Sequence, residues 1–310
     1  MGPARGIRPA GCSQDFSGND AMTWFVFALL TALAAASQDA WVKKWFSHLT
    51  AYEMFAYPLA YALPLTAITL VFVPIPDLDR VFWASFLASI PLNAVPFVLY
   101  MKAIKASPLS LPLPYLAFTP VFMIATGDLF LGEIPDRWGV LGIAAVCIGS
   151  YVLNIQSGQR SVWDPFRAMG REAGSRIMLL VAFIFSFSAV IGKLAILHSS
   201  VMFFQMSFFS ALSLILILLF MGMRTVSLKN ICRMPVKGAI AGLLLYCHIL
   251  FHGYAISLAK AAYMISVKRL SILFGVIYGG MVFREDNIVI RFAGAFLMFL
   301  GTALILLKAG

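Results

Sequence analysis

Two adjacent cations, Lys268 and Arg269, lie inside an apolar stretch that is long enough to cross a membrane only if it includes them. The stretch runs from Ala261 to Phe283, and the part after the pair, Leu270 to Phe283, has 14 residues. A helix needs about 20 residues to cross the hydrocarbon core of a bilayer. Two cations at that depth are costly unless they face water, a partner or an anionic ligand. The pair therefore predicts a functional site, within the span or at a break in it.

The pair also has a structural interpretation, in which both side chains extend to the membrane interface about 10 Å away. Because neighbouring residues of a helix point about 100° apart, we expect at most one of the two to face the centre of a cavity. The other would pair with a carboxylate or with the C-terminus of a helix.

Further polar side chains lie in or beside apolar segments and are candidates for the same site. Lys193 lies within an apolar run, and Gln38 and Asp39 end the first apolar segment. Their structural alternatives are anchoring at the interface and satisfaction of a helix end. Other candidates for the lining of a cavity are Asn93, Tyr115, Thr119, Ser266 and Tyr278.

His248 and His252 stand four residues apart, so they share one face of a helix. Histidines titrate near neutral pH, which makes the pair a candidate for proton coupling. The alternative is a pair of hydrogen-bonded packing residues. We predict no metal site, because no third ligand is apparent in the sequence.

The composition excludes a soluble protein. Of 310 residues 61% are hydrophobic and 12% charged, and the mean hydropathy is +0.91. Soluble domains carry about 25% charged residues. The net charge of +10 does not indicate nucleic-acid binding, because the cations are scattered between apolar segments. The four cysteines show neither disulfide nor zinc-site spacing.

Motifs of enzymatic chemistry are missing from the sequence. It has no HExxH, GxSxG or P-loop pattern. We therefore predict neither an enzyme nor a cofactor.

Ten apolar segments are candidate spans, and they divide the chain into two halves. Residues 1–21 are predicted to be a disordered tail, 22–156 the first five-helix repeat, 157–176 a basic linker and 177–310 the second repeat. The candidate spans are roughly 22–42, 52–73, 81–101, 109–131, 138–156, 177–197, 201–222, 236–258, 261–283 and 288–308.

The two halves resemble each other in sequence. With a shift of 152 residues, Gly127, Glu133, Gly142 and Gly149 fall on Gly279, Glu285, Gly294 and Gly301. An odd number of spans per half requires opposite orientations of the halves. The prediction is an all-α integral membrane protein with ten transmembrane helices as two inverted five-helix repeats, an architecture typical of secondary transporters with a substrate site near the midplane.

Glu133 and Glu285 each lie in a short turn just before a predicted helix. A carboxylate in such a turn complements the positive end of the helix dipole. We therefore interpret both glutamates as structural.

Two segments carry a resemblance to a known family: GDLFLGEIPDRWGVLGIAAVCIGSYVL and GGMVFREDNIVIRFAGAFLMFLGTALIL. With the five-plus-five repeat, they resemble the EamA family of the drug/metabolite transporter superfamily. The resemblance implies the fold and transport, since relatives export amino acids and other metabolites or exchange sugar phosphates. The Lys268-Arg269 dipeptide is similar to one in plant triose-phosphate translocators, where such a pair holds the substrate phosphate. Their further lysine on span four has no match here.

The predicted function is a secondary carrier, in a bacterial inner membrane, that moves a small organic metabolite by alternating access. Export of an amino acid is the first candidate, and exchange of a phosphorylated or other anionic metabolite is the alternative. From another class, the chain would be a non-transporting membrane partner or regulatory subunit. The expected partners are the lipid bilayer, a small-molecule substrate and, as a candidate, protons. A monomer would suffice, and a dimer is left open.

Overall fold

The computed structural model describes residues 18–106, 113–153, 173–278 and 288–308. Within these ranges the regular structure is helical throughout, without strands. The first helix begins at Gly18, so residues 18–21 of the predicted tail are helical. Most of the predicted linker lies outside the described ranges, and its last residues, from Ala173, are already helical.

The helices follow the predicted spans closely. Those of the first half are α1 (Gly18–Phe46), α2 (Ala51–Phe72), α3 (Arg80–Ala106), a 3₁₀-helix (Leu113–Phe118), α4 (Thr119–Leu131) and α5 (Arg137–Leu153). Those of the second half are α6 (Ala173–Leu197), α7 (Val201–Gly222), α8 (Leu228–Ile231), α9 (Pro235–Leu258), α10 (Ala261–Lys268), α11 (Ser271–Tyr278) and α12 (Ile288–Lys308).

Six of the described helices, α1, α2, α3, α6, α7 and α9, are long and apolar enough to cross a membrane. Three shorter apolar segments lie in the 3₁₀-helix with α4, in α5 and in α12. Large apolar side chains on the outside, such as Phe72 at 81% exposure and Phe299 at 68%, suit contact with lipid tails. These features agree with an integral membrane protein, and the ten-span inverted topology stays a prediction.

Helices α5 and α12 pack through the glycines that the repeat singled out. A Cβ atom added at Gly301 would lie 2.6 Å from the carbonyl oxygen of Gly142, and one added at Gly149 would lie 2.6 Å from that of Gly294. Only glycine permits this approach of two backbones. Because the earlier glycine of α5 faces the later one of α12, the two helices run antiparallel.

The remaining helices form a bundle in which the two halves interlock. Helix α1 packs against α9, α10 and α11, and α6 packs against α3 and α4. Helix α2 packs against α7 and α9. Each half therefore supplies walls on several sides of the space between the halves.

The predicted fourth and ninth spans each depart from a regular α-helix at one point, and we call these points the helix breaks. The 3₁₀-helix gives way to α4 at Thr119, and α10 ends at Lys268 shortly before α11 begins at Ser271. With the shift of 152 residues, Thr119 falls on Ser271. The two breaks thus occupy the same place in each half. Lys268 and Arg269 lie at the second break, one of the two positions that the sequence allowed.

Candidate functional site

A cavity of about 410 Å³ lies between the two halves. This volume is within the range of about 300–1,000 Å³ that is usual for small-molecule sites. Both helix breaks contribute to its walls, together with α1, α2, α3, α6, α7 and α9. The polar residues of the lining are Gln38, Asp39, Ser89, Asn93, Thr119, Ser188, Lys193, Gln205, His248, His252, Lys268, Arg269 and Ser271.

Lys268 faces this cavity from the C-terminal end of α10. Its ammonium has no hydrogen-bond or ion-pair partner in the described part of the chain. The carboxylate of Asp39 on α1 attracts it electrostatically without a direct ion pair. Asp39 is itself accessible within the cavity and accepts no hydrogen bond from the described residues. One cation and one carboxylate are therefore available to a ligand.

Arg269 joins the two helix breaks. Its Nη2 donates a hydrogen bond of 2.9 Å to Oγ1 of Thr119, and that buried hydroxyl donates one of 2.9 Å to the carbonyl of Leu116. The Nε of Arg269 is buried and lacks a partner among the described residues. Of the two cations one is thus bound and one is free, but the partner is a hydroxyl rather than the predicted carboxylate or helix end.

His248 and His252 lie side by side on the cavity face of α9, with ring centroids 6.1 Å apart. The Nδ1 atoms of both rings are buried and have no hydrogen-bond partner in the described ranges. The common helix face agrees with the spacing of the two histidines in the sequence. The alternative, a hydrogen-bonded packing pair, is not supported at the Nδ1 atoms, which have no partner among the described residues. Among the described residues no three side chains of metal-binding type form a cluster.

Lys193 and Glu133 form a buried ion pair at one end of the cavity, which we call the floor. Lys193 is 5% exposed and also donates a hydrogen bond to the carbonyl of Ala259. Helix α4 ends with Gly132 in the left-handed conformation (φ 65°), which brings Glu133 to this position. The backbone N–H of Ala261 donates to Oε2 of Glu133 at 2.7 Å. Glu133 therefore caps α10 and not, as the sequence suggested, the helix that follows it.

Two more contacts join the halves at the floor beside this ion pair. Lys260 donates to the carbonyl of Ile134 at 3.0 Å, and the backbone N–H of Asp136 donates to the hydroxyl of Tyr263 at 3.1 Å. Both link the α4–α5 turn of the first half to the start of α10. At the floor, the two halves are thus joined by a group of polar contacts.

Asp79 and His198 form an exposed contact on the same side, with 2.7 Å between the carboxylate Oδ2 and Nδ1. Asp79 precedes α3, and its Oδ1 accepts a hydrogen bond of 2.8 Å from the N–H of Phe82. This backbone N–H, with His198 as a further partner, holds the pKa of the Asp79 carboxyl below its ordinary value.

Two further predicted lining residues, Gln38 and Asn93, lie at the cavity. The amide of Asn93 donates a hydrogen bond of 2.8 Å to the carbonyl of Ser89, which holds the side chain along α3. With Asp39, Thr119, Lys193, Lys268 and Arg269, the structure thus brings seven of the ten predicted binding residues to one space.

Three predicted lining residues, all in the described ranges, are not found in the cavity wall. Tyr115 is 1% exposed in helix packing, and buried Ser266 donates to the carbonyl of Ala262 at 2.7 Å. The hydroxyl of Tyr278 lies 2.9 Å from that of Ser37. Glu285 lies outside the described residues.

The cavity has an apolar wall that the sequence did not reveal. Six phenylalanines contribute to it, on α2, α3, α6 and α7: Phe55, Phe97, Phe185, Phe204, Phe208 and Phe209. The ring centroids of Phe55 and Phe97 are 4.6 Å apart, and those of Phe204 and Phe208 are 5.2 Å apart. The chain has 27 phenylalanines, and the pattern of an apolar span does not distinguish those that face a cavity from those that face lipid.

Comparisons with known proteins agree with the fold. One solved structure, described only as a crystal structure of a protein, matches with a TM-score of 0.72 over 94% of this chain and 99% of that chain. At 14% sequence identity, this likeness shows the fold alone. A comparison with curated protein sequences finds no match. Residues 22–155 match the model of the EamA-like transporter family. The match covers less than half of the 310 residues, and it agrees with an integral membrane protein, as the long apolar helices do.

Proposed function

We propose that the chain is a secondary carrier that moves a small organic metabolite through the central cavity by alternating access. The observation that carries the proposal is the cavity itself. It lies between the halves, both helix breaks open onto it, and it holds a cation without a partner in the described structure. Broken helices around a midplane site are typical of secondary transporters.

The inverted repeat belongs to this proposal, and the helix packing supports it. A two-fold axis in the membrane plane requires that matching helices at the axis run antiparallel and touch through the same residues. Gly142 and Gly149 of α5 meet Gly301 and Gly294 of α12 in this way. The axis also requires that a contact between two helices recur between the corresponding helices of the other half. The packing of α3 on α6 recurs as α9 on α1, and that of α4 on α6 recurs as α10 and α11 on α1.

The floor contacts support alternating access because they close one end of the cavity through polar groups of both halves. Opening that end requires separation of Lys193 from Glu133 and of Ala261 from the same carboxylate. A buried cation that loses its only carboxylate is strongly destabilised. The closed state is therefore a discrete arrangement, as a carrier needs at each end of its cycle.

The anionic group of the metabolite would bind Lys268 at the α10–α11 break. An amino acid and a phosphorylated metabolite both carry such a group. In the described structure of α4, the position facing Arg269 is occupied by the hydroxyl of Thr119 and not by a further cation. A single carboxylate therefore fits this end of the cavity better than a phosphate, for which more positive charge would be needed.

Access to the cavity from the two sides of the membrane tests the proposal. The probe is a cysteine at Ala189, which lines the cavity from α6. It is introduced into a background in which Cys12, Cys232 and Cys247 are serine and buried Cys147 is kept. A membrane-impermeant maleimide is applied to sealed vesicles from either side. A cysteine at exposed Ser227, in the α7–α8 connection, reports which side is which.

For a carrier, we expect the cysteine at position 189 to react from both sides, and Glu133→Gln to raise its labelling from the floor side. The cysteine at position 227 should react from one side only. Labelling of position 189 from a single side, in the parent and in the Glu133→Gln background alike, would overturn the carrier function. A non-transporting partner or regulatory subunit would then be the better explanation.

A further inference from the structure

The charges that face the cavity do not cancel. Lys268 and Arg269 contribute two positive charges and Asp39 one negative charge, while the charge of Lys193 is balanced by Glu133. With the histidines counted as neutral, the cavity carries one net positive charge. A net charge inside a membrane protein is costly unless a partner balances it. A ligand with a single negative charge would balance it.

Polar atoms without partners mark the place where such a ligand would bind. Four buried atoms of the lining have no hydrogen-bond partner in the described ranges: Ser89 Oγ, His248 Nδ1, His252 Nδ1 and Arg269 Nε. Buried polar atoms in native proteins nearly always have a partner. The N–H of Arg269 can only donate, and a carboxylate oxygen is its natural acceptor beside the free ammonium of Lys268.

The phenylalanine wall defines the rest of the ligand. Its rings come from α2, α3, α6 and α7, whereas Asp39 comes from α1, and Lys268 and Arg269 come from the α10–α11 break. Phe97 has Phe55 on one side and Phe185 on the other, at centroid distances of 4.6 and 5.7 Å. Such spacings are those at which aromatic rings attract one another, and an apolar body placed there is removed from water.

We propose that the cavity selects a monoanionic carboxylate with an apolar, ring-sized body. The carboxylate lies between Lys268 and Arg269, and the body packs against the phenylalanine wall. This inference rests on the proposed carrier function and narrows its substrate class. An amino acid carries no net charge and leaves the cavity unbalanced, and a phosphate dianion reverses the imbalance.

Four probes separate charge from shape: 3-phenylpropionate, phenylalanine, phenyl phosphate and propionate. The first three share a ring and differ in charge, and the fourth keeps the single charge without the ring. The full-length protein is purified in detergent, and its melting temperature is measured against the concentration of each probe at pH 7, because stabilisation follows ligand affinity. We expect 3-phenylpropionate to bind at least about tenfold more tightly than the others, which corresponds to one unit charge within about 10 Å at an effective dielectric constant of about 20.

Two substitutions change the charge of the cavity and should change the ranking of the probes. Asp39→Asn raises the net charge by one, so phenyl phosphate should gain relative to 3-phenylpropionate. Lys268→Met lowers it by one, so phenylalanine should gain instead. The matched controls are Asp77→Asn and Lys229→Met, which make the same charge changes at exposed positions outside the cavity. They should keep the parent's ranking of the probes. Either cavity variant suffices if the other does not fold.

The inference is overturned if no probe stabilises the protein, if phenylalanine or phenyl phosphate binds best to the parent, or if the cavity variants keep the parent's ranking. Flux in proteoliposomes separates this result from the carrier function. Binding with the expected ranking but without flux would leave the ligand class standing and remove the carrier function. Flux of phenylalanine without preference for 3-phenylpropionate would support the carrier function and overturn the proposed ligand class.

Discussion

Glu133→Gln is expected to destabilise the protein by breaking the ion pair at the floor of the cavity. Glutamine keeps the size of the side chain and an oxygen that accepts the N–H of Ala261, so the loss is confined to the charge. Lys193, 5% exposed, is left with only the carbonyl of Ala259. Removal of one partner from a buried pair costs about 3–5 kcal/mol in the free energy of unfolding.

The reciprocal change should cost less, and the double variant should show the coupling. After Lys193→Met, the carboxylate of Glu133 is 18% exposed and still accepts the N–H of Ala261, so we expect a cost of about 1–3 kcal/mol. The double variant buries no uncompensated charge. Its cost should therefore fall below the sum of the single costs by about 2 kcal/mol or more.

The assay is reversible unfolding in mixed micelles with increasing SDS, applied to the parent and to the three variants. The matched control is the exposed pair of Asp79 and His198, whose side chains are 51% and 36% exposed. Its coupling should be smaller, because water screens exposed charges. Additivity of the Glu133 and Lys193 costs within about 0.5 kcal/mol would refute the reasoning, since independent sites behave in that way.

Three further predictions concern the helix contacts and the loop charge. Gly301→Ala places a Cβ 2.6 Å from a backbone oxygen of α5 and should cost about 1–3 kcal/mol in the SDS assay, whereas Gly275→Ala meets nothing within 4 Å and should be neutral or stabilising by up to about 1 kcal/mol. Thr119→Val leaves Arg269 without its acceptor and should cost about 1.5–3 kcal/mol by the same measurement, while Thr119→Ser restores most of the loss. The pKa of Asp79 is lower in the folded than in the unfolded protein, where it is about 3.9, so its charge stabilises above about pH 4 and the stabilisation is lost as the pH falls through the folded pKa. The difference in melting temperature between the parent and Asp79→Asn should therefore be present at neutral pH and disappear on acidification below about pH 4.

Each of these predictions has a contradicting result. Equal costs at Gly301 and Gly275 would show that the α5–α12 approach is not tight. A serine at position 119 that is as costly as valine would show that the hydroxyl contributes nothing to Arg269. A melting-temperature gap that stays unchanged from pH 7 to pH 3 would show that the charge of Asp79 does not stabilise the fold.

Several lining residues of the candidate site were predicted from the sequence, because charge inside an apolar span is costly. Lys268 and Arg269 stood out for this reason, and seven of the ten predicted binding residues line one cavity in the structure. Tyr115, Ser266 and Tyr278 were predicted on weaker grounds. The hydroxyl of a tyrosine or serine in a span can form a hydrogen bond within the helix packing at low cost. Ser266, for example, donates to the carbonyl of the residue four positions before it.

Partners distant in the chain were beyond the reach of the sequence. Arg269 binds Thr119, 150 residues away, and Lys193 binds Glu133, 60 residues away. Glu133 was expected to stabilise the N-terminus of the helix that follows it, because capping residues usually lie next to their helix in the sequence. The left-handed turn at Gly132 directs it instead to the start of α10, and no local pattern contains that destination.

The sequence by itself indicated that the protein lies in a lipid bilayer, which segments are helical and which cations lie within apolar segments. The length of an apolar run and the cost of a buried charge are properties of the chain alone. The repeat in the sequence also singled out the glycines at which two helices touch. The tertiary structure decided which cation has a partner, where polar contacts join the two halves and which phenylalanines line the cavity. These outcomes depend on the direction of each helix face after packing, and an apolar face has the same composition whether it meets lipid, another helix or a cavity.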